Sequence, residues 1–508
     1  MSHEYGAKCA RGSPPSCCPA AAPGGTVRPD MSKLPDTLAA AYDAERFRRQ
    51  GHQLVDQLAD YLARASRAEG LPVLPWAPPE ENLERFPGRF PEEPSGELTP
   101  FMERVLGNSN HLHHPRYVGH QVSAPLPLAA LCDFVSSLLN NGMAVYEMGP
   151  AVTAMETQVL RWMAGQLGLP AKAGGVLTSG GSVGNLTALL AARQARAGFD
   201  AWNEGHTGGP PLTVLVPETA HYCLARATKV MGWGKQGLTP VPVDAHFRLR
   251  PDALEGALAA ATRSGRRPIA VVASAGSTAT GAFDPLEPVA DFCERHGLWF
   301  HVDGAHGAAA ALSPTYRHQV KGIERADSVV WDAHKMMMMP ALITAVLFRD
   351  GARSFEAFAQ QASYLYGPDT RRWSDVGMRT LECTKEMMAL KLYTCLSLLG
   401  TRMFSDYVTA TFDLTRRFAQ RLQASGDFEV PVPPDCNILC FRHTPQGLPA
   451  SQLDALQSRL REQLVTRGDF YLVQTTLPSG VYLRTTLVNP LTSDAELDAL
   501  MEALRRAV

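Results

Sequence analysis

No CxxC motif with a matching second pair occurs in this chain, which argues against a zinc-binding module. Its ten cysteines are scattered, at Cys132, Cys223, Cys293, Cys383, Cys395, Cys436 and Cys440, with Cys9, Cys17 and Cys18 near the start. Thin use over 508 residues excludes a disulfide framework. Reduced thiols fit the cytosol, so a cytoplasmic location is expected. No uncharged apolar run of roughly 18 residues is present, so no membrane span is expected. Residues 1–30 are rich in Pro, Gly, Ala and Ser but lack a continuous apolar segment, so no secretory signal is expected there. Neither sign of charge is in excess: 48 Lys and Arg stand against 50 Asp and Glu, a formal net charge of −2. That balance speaks against a nucleic-acid partner, and no long run of like charge suggests a membrane surface. No internal repeat of roughly 20–50 residues appears, which excludes a solenoid or propeller.

What is there is an ordinary globular composition, 45% hydrophobic and 19% charged, in a chain long enough for two or three domains. Residues 1–35 read as a disordered tail. Residues 36–110 read as an N-terminal helical segment: 38–67 is helical, with Leu54, Val55, Leu58, Tyr61 and Leu62 on one face, and seeks a partner subunit to pack on. Pro-rich residues 72–94 read as an irregular connector, neither strand nor helix. From 111 to 384, short β-rich runs alternate with helical stretches, the pattern of an α/β domain built on a mostly parallel sheet. The runs lie at 176–178, 212–216, 269–274, 298–302, 328–331 and 343–348, and the helices at 184–196, 221–231 and 285–296. Residues 385–508 read as a smaller α+β domain, with helices at 385–400 and 404–424, strands at 438–442, 470–474 and 481–487, and a final helix from Ser493.

The chemistry concentrates at two strand ends. Trp299-Phe300-His301-Val302-Asp303 is an apolar run that delivers an aspartate. The next run ends in Asp332-Ala333-His334-Lys335. In parallel sheets, ligands sit beyond the carboxyl ends of the strands. A lysine amine there can form a Schiff base with an aldehyde cofactor. A carboxylate beside it can keep a pyridine nitrogen protonated, so that the ring accepts electrons. Upstream, Thr178-Ser179-Gly180-Gly181-Ser182-Val183-Gly184 joins a strand to a helix, and its N–H groups suit a phosphate. It is not a Walker A loop, because no lysine follows the glycines. His221 opens a predicted helix, where it serves either to stack on a cofactor ring or as an ordinary helix-terminus residue.

With these motifs in this order, the chain resembles the group II pyridoxal phosphate (PLP) decarboxylases, which act on glutamate, cysteine sulfinate, diaminobutyrate and aromatic amino acids. Its motifs lean toward the glutamate decarboxylase-like branch, and the similarity runs from about residue 36 to the C-terminus. The resemblance implies PLP fold-type I and a homodimer with its active site at the subunit interface. It implies Lys335 as the Schiff-base lysine, Asp303 as the pyridinium partner, Ala305 beneath the ring and His221 above it. Gly181 and Ser182, with His334 alongside, would bind the phosphate, and Thr278 and Asp284 would line the cofactor site. Arg484 matches a family arginine that contacts a substrate carboxylate, a role suited to a planar fork; a strand arginine in an ion pair is the alternative. Tyr117 and Gln121 fall where the family lines its substrate pocket. The mobile catalytic loop corresponds to 361–377, with Tyr366 or His221 as candidate proton donor. The chain departs from the family in reading Asp303-Gly304-Ala305-His306 and Asp332-Ala333-His334-Lys335 where Asp-Ala-Ala-aromatic and Asn-Pro-His-Lys are usual.

The resulting expectation is an L-amino-acid α-decarboxylase that releases CO2 and an amine from a small-molecule substrate, with no metal. An acidic side chain is the first choice and diaminobutyrate or an aromatic amino acid the second. A PLP aminotransferase or carbon–carbon-forming enzyme on the same scaffold is the remaining alternative, and scarce protons at the carbanion would open side reactions such as transamination.

Overall fold

Buried β-branched runs alternating with helices form one seven-stranded sheet, in keeping with the sequence. The structure, a computed structural model, describes residues 34–508 except 87, 95, 207–208 and 359–372. The strands are β1 (Gly174–Thr178), β2 (Leu212–Pro217), β3 (Leu238–Val241), β4 (Arg267–Ser274), β5 (Trp299–Asp303), β6 (Ser328–Asp332) and β7 (Thr344–Phe348). Their order is β1-β7-β6-β5-β4-β2-β3. All pairs from β3 to β6 are parallel, whereas β7 runs antiparallel to both β6 and β1. Alternate residues of β4 serve opposite faces: Val271 and Ala273 join one hydrophobic core, Ala270 and Val272 the other. That two-sided burial is why these strands read as continuous apolar runs. β3 and the helix Leu254–Arg263 lie outside the sequence expectation. β3 is a short edge strand containing Pro240, and its weak signal follows from that place in the sheet.

The smaller sheet comprises β8 (Phe428–Glu429), β9 (Ile438–His443), β10 (Val473–Leu477) and β11 (Gly480–Thr486), antiparallel in the order β10-β11-β9-β8. The helices Thr401–Ser425, Leu453–Arg467 and Asp494–Arg506 accompany it, the last opened by a Ser493–Glu496 capping box. The strand expected at 470–474 begins instead at Val473, because Tyr471 forms a separate parallel bridge with Tyr117.

The chain divides into two units, Met1–Gln57 and Leu58–Val508. The helix expected over 38–67 is two helices, Asp36–Ala41 and Ala44–Ser66. The break follows from Asp43, whose Oδ1 accepts the Glu45 N–H at 3.0 Å and so starts the second helix. The 72–94 connector contains the helix Pro79–Arg85. Pro79 is tolerated because it occupies the first turn, where its missing N–H has no partner to lose. The expected tail, apart from Leu34 and Pro35, lies outside the described residues.

β1 is held by a buried ion pair. Lys385 Nζ lies 2.6 Å from Glu156 Oε1 and donates to the Leu177 carbonyl at 2.7 Å, while Glu156 Oε1 accepts the Leu177 N–H at 3.0 Å. Both side chains are buried, and burial depresses the Lys385 amine against the pull of Glu156. Glu156→Ala would strand the ammonium and is expected to lower stability by roughly 3–5 kcal/mol. Chemical denaturation would read this as a reduced midpoint at unchanged slope.

Candidate active site

β5 and β6 end side by side, and their last residues are Asp303 and Asp332. Lys335 follows on the short helix Ala333–Met336. Because β7 runs the other way, its first residue joins this edge: Thr344 pairs in register with both Asp332 and Thr178. The turn after β1 then brings Gly180, Gly181 and Ser182 to the same place, with the helix Gly181–Arg196 starting three residues before the expected Gly184. Gly180 has φ +113°, a conformation that favours glycine. A cavity of about 360 Å³ opens there. Gly181, Ser182, His221, Thr278, Asp303, Ala305, His334 and Lys335 all line it, and so does Gln121. A larger hollow of about 670 Å³ lies around Gly174 and Gly175, at the opposite end of β1; Lys172 and Glu356 are on its wall, but neither of the strand-end aspartates is.

Electrostatics set Lys335 apart. Its Nζ lies 2.8 Å from Asp332 Oδ2, and the Thr344 hydroxyl donates to Asp332 Oδ1 at 2.5 Å. Burial works to depress the amine, but the Asp332 carboxylate outweighs it and the pKa is raised. Burial likewise works to raise Asp332, and Lys335 and His334 overcome it to hold the carboxyl low. The pair is therefore an ammonium–carboxylate ion pair in the free site. Asp303 Oδ1 accepts the Ala305 N–H at 3.2 Å.

Three histidines besides His334 bear on the cavity. His221 caps the helix Tyr222–Val230, its Nδ1 accepting the Cys223 N–H at 3.3 Å, so Nε2 carries the ring proton. Burial depresses its pKa. His301 stands two residues before Asp303, on the same side of β5. It is fully buried and bonded to Asn185 Oδ1 at 2.8 Å and to Ser328 Oγ at 2.9 Å, and burial lowers its pKa to about 4. His306 lines the cavity and ties it to β9's approach through Asn437 Oδ1 at 2.7 Å; burial holds it at about 3. The sequence reading assigned neither His301 nor His306 a role, although strand alternation was signal enough for the former.

Other expected residues fall elsewhere. Tyr117 is buried and stacked on Tyr471, with ring centroids 5.0 Å apart, and does not line this cavity. Asp284 also lies off its wall: its oxygens accept the Leu249 and Ser274 N–H groups at 2.7 Å each, which anchors the end of β4. Burial raises it to about 7. Arg484, in β11 opposite Cys440, is buried and not on the wall, yet its charge is felt by His306. Its Nε and Nη2 have no partner among the described residues. Tyr366 and most of the 361–377 loop lie outside the described residues.

The arrangement fits PLP. A Cβ on Gly181 would stand 3.1 Å from Asp332 Oδ2, so glycine avoids a tight contact at the helix N-terminus, where a phosphate would sit. An amine and a strand-end carboxylate share the remaining wall. The pyridoxal-dependent decarboxylase conserved domain matches residues 79–444. The chain is 31% identical over 416 residues to cysteine sulfinic acid decarboxylase of Mus musculus, covering 79% of this chain and 83% of that one. It is 28% identical over 468 residues to an aromatic-L-amino-acid decarboxylase of Bacillus atrophaeus, covering 91% and 95%. The crystal structure of mouse CSAD in apo form superposes with a TM-score of 0.85 at 27% identity, covering 92% of this chain and 99% of that one. The chain belongs to the pyridoxal-dependent decarboxylases, and it is a PLP-dependent amino-acid carboxy-lyase of fold-type I.

Proposed function

We propose that the enzyme decarboxylates an L-amino acid with an acidic side chain, and that Arg484, behind the cavity wall and felt by His306 on it, supplies the positive charge that selects that side chain. The carrying observation is the buried Arg484 guanidinium with Nε and Nη2 unpaired among the described residues. Burial depresses its pKa, yet a guanidinium stays charged at neutral pH. An unpaired buried cation is costly, and a carboxylate or sulfinate held in the neighbouring cavity would offset part of that cost. The kinship fits this reading, since the mouse relative is named for cysteine sulfinate, although the Bacillus relative is named for aromatic substrates. A diaminobutyrate substrate would need a free carboxylate for its distal ammonium, and Asp332 is already engaged by Lys335 and Thr344.

When bound, PLP supplies an electron sink for the pair released as CO2 leaves. The chain's residues do the rest. Lys335 supplies the nitrogen that anchors the cofactor and later moves protons at that position. Asp303 would keep the pyridine nitrogen protonated, Ala305 and His221 would hold the ring, and Gly181, Ser182, Thr278 and His334 would hold its polar edge. Gln121 has an Nε2 buried without a partner among the described residues and lines the cavity, so it is free to donate to a substrate carboxylate. The proton replacing CO2 comes from His221 or from Tyr366. For His221 this requires a protonated ring, which burial opposes at neutral pH.

A homodimer with the site at its interface is part of this reading. Leu131, Val135, Leu138 and Leu139 expose an apolar strip on the helix Pro127–Leu139, and Leu398 and Leu399 are exposed at the end of the helix Met388–Leu399. The described cysteines are all free, which accords with a cytoplasmic setting.

Purified enzyme with PLP, offered glutamate, aspartate, cysteine sulfinate, diaminobutyrate, ornithine, tyrosine and DOPA, is expected to release CO2 and amine from an acidic member. Arg484→Met is expected to lower kcat/KM for that substrate by roughly 10²–10³-fold, the scale of a lost buried charge pair. Equal loss for all substrates would remove Arg484 from side-chain recognition. A keto acid in place of the amine would point to transamination.

A further inference from the structure

Beside the glycine turn, a carboxylate oxygen and an imidazole nitrogen approach each other just outside hydrogen-bond distance. Asp332 Oδ2 lies 3.6 Å from His334 Nε2. His334 Nδ1 sits 2.9 Å from the Ile343 carbonyl oxygen, which only accepts, so the ring proton is on Nδ1. The competing approach of the Ile343 N–H to the same nitrogen is longer, at 3.3 Å. Nε2 is then a bare acceptor, and Oδ2 belongs to a carboxylate paired with Lys335.

The same carboxylate borders the phosphate cradle. The Cβ position of Gly181 is 3.1 Å from Oδ2 and 3.2 Å from Oδ1. A phosphate ester is dianionic above its second pKa of about 6. Placing a dianion on the Gly181 N–H groups brings it against a buried carboxylate, which is unfavourable. Lys335 cannot fully compensate, because its single positive charge is already paired with Asp332 and a dianion adds two negative charges.

We propose that the Asp332–His334 pair takes up one proton as the cofactor's phosphate binds and holds it between Oδ2 and Nε2. The proton comes from solvent, and no other bond changes. The proposal rests on the reading that puts the phosphate at Gly181. The other charged or titratable groups felt by the pair or its cavity are Lys335 on the same helix, Asp303 on β5, His221 and Cys223 after β2, His306 after β5 and Lys391 on the helix Met388–Leu399. Among the described residues only Lys335 and His334 come within ion-pairing distance of Asp332. Burial depresses His334, and the Lys335 ammonium holds Asp332 low despite its burial, so both start unprotonated at pH 8. A proton gained only in the complex makes affinity highest at low pH and weakens it about tenfold per pH unit above the free pair's pKa.

Pyridoxine 5′-phosphate tests this, since it carries the phosphate but no aldehyde and leaves Lys335 chemistry out. Calorimetric titration of the full chain at about pH 8, in two buffers of different ionisation enthalpy, is expected to show uptake of about one proton per site. The Kd is expected to rise about tenfold from pH 7.5 to 8.5. Asp332→Asn is expected to bring the uptake near zero, hold the Kd within about twofold over that range and bind about tenfold tighter at pH 8.5. His334→Gln, whose amide donates toward Oδ2, is expected to lower the uptake as well and serves if Asp332→Asn does not fold. No uptake by the wild type, or unchanged uptake in the variants, overturns the proposal while the cofactor reading stands. Failure of the wild type to bind the ester at millimolar concentration removes the phosphate placement, and the proposal with it.

Discussion

Replacing Lys335 with alanine is expected to abolish turnover, lowering kcat by roughly 10⁴-fold or more, the scale on which loss of a covalent nucleophile acts. The amine is the sole lysine nitrogen lining the cavity among the described residues. Its removal also leaves the Asp332 carboxylate buried with only Thr344 and the more distant His334 beside it. Circular dichroism and a melting curve would show whether the fold persists. Borohydride treatment of the holoenzyme would then fix PLP to the wild-type chain and not to the variant. Retention of near-native turnover, or of borohydride labelling, would move the anchoring role away from Lys335.

Asp303→Asn is expected to have the second-largest effect, a fall in kcat of about 10²–10³-fold, as when one preorganised electrostatic partner is removed. The substitution keeps the shape, and the side-chain oxygen can still accept the Ala305 N–H, now bonded at 3.2 Å. What it would lose is the negative charge that, in the proposed reading, favours a proton on the pyridine nitrogen. Cofactor uptake, followed by absorbance, is therefore expected to survive while turnover falls. A change in kcat of less than about tenfold would show that another group stabilises the charge.

Asp303 and Lys335 were legible because each stands at or just beyond the end of a buried run, and successive parallel strands must end at one edge. The glycine turn was legible for the same reason. Less visible was how these ends meet. The contact between Gly181 and Asp332 depends on β7, whose direction no periodicity reveals, since antiparallel and parallel buried strands are equally apolar. Asp332 could be seen to differ from the family's asparagine, but its place against the phosphate cradle could not. Local breaks were missed where one side chain decides, as at Asp43, or where a proline is harmless because of its position, as at Pro79. Tyr117 and Arg484 show a different limit. Their residue types suit a substrate, but which wall they reach is decided by the packing of Tyr471 and by the register of β11 on β9.

The antiparallel β7 also has a bearing on the order of folding. β1 is an edge strand whose only neighbour among the described residues is β7, with Thr178 set against Thr344. Nearly all of the intervening strands and helices must therefore be synthesised before β1 can join the sheet. Such distant pairing carries a large loop-closure cost and forms late. A nascent chain that stops short of β7 would hold Asp303 and Asp332 at the ends of paired strands while its glycine turn remained without a scaffold. The anion cradle is then among the last parts to mature, and the cofactor arrives as a latch on an assembled sheet rather than as a template for building it.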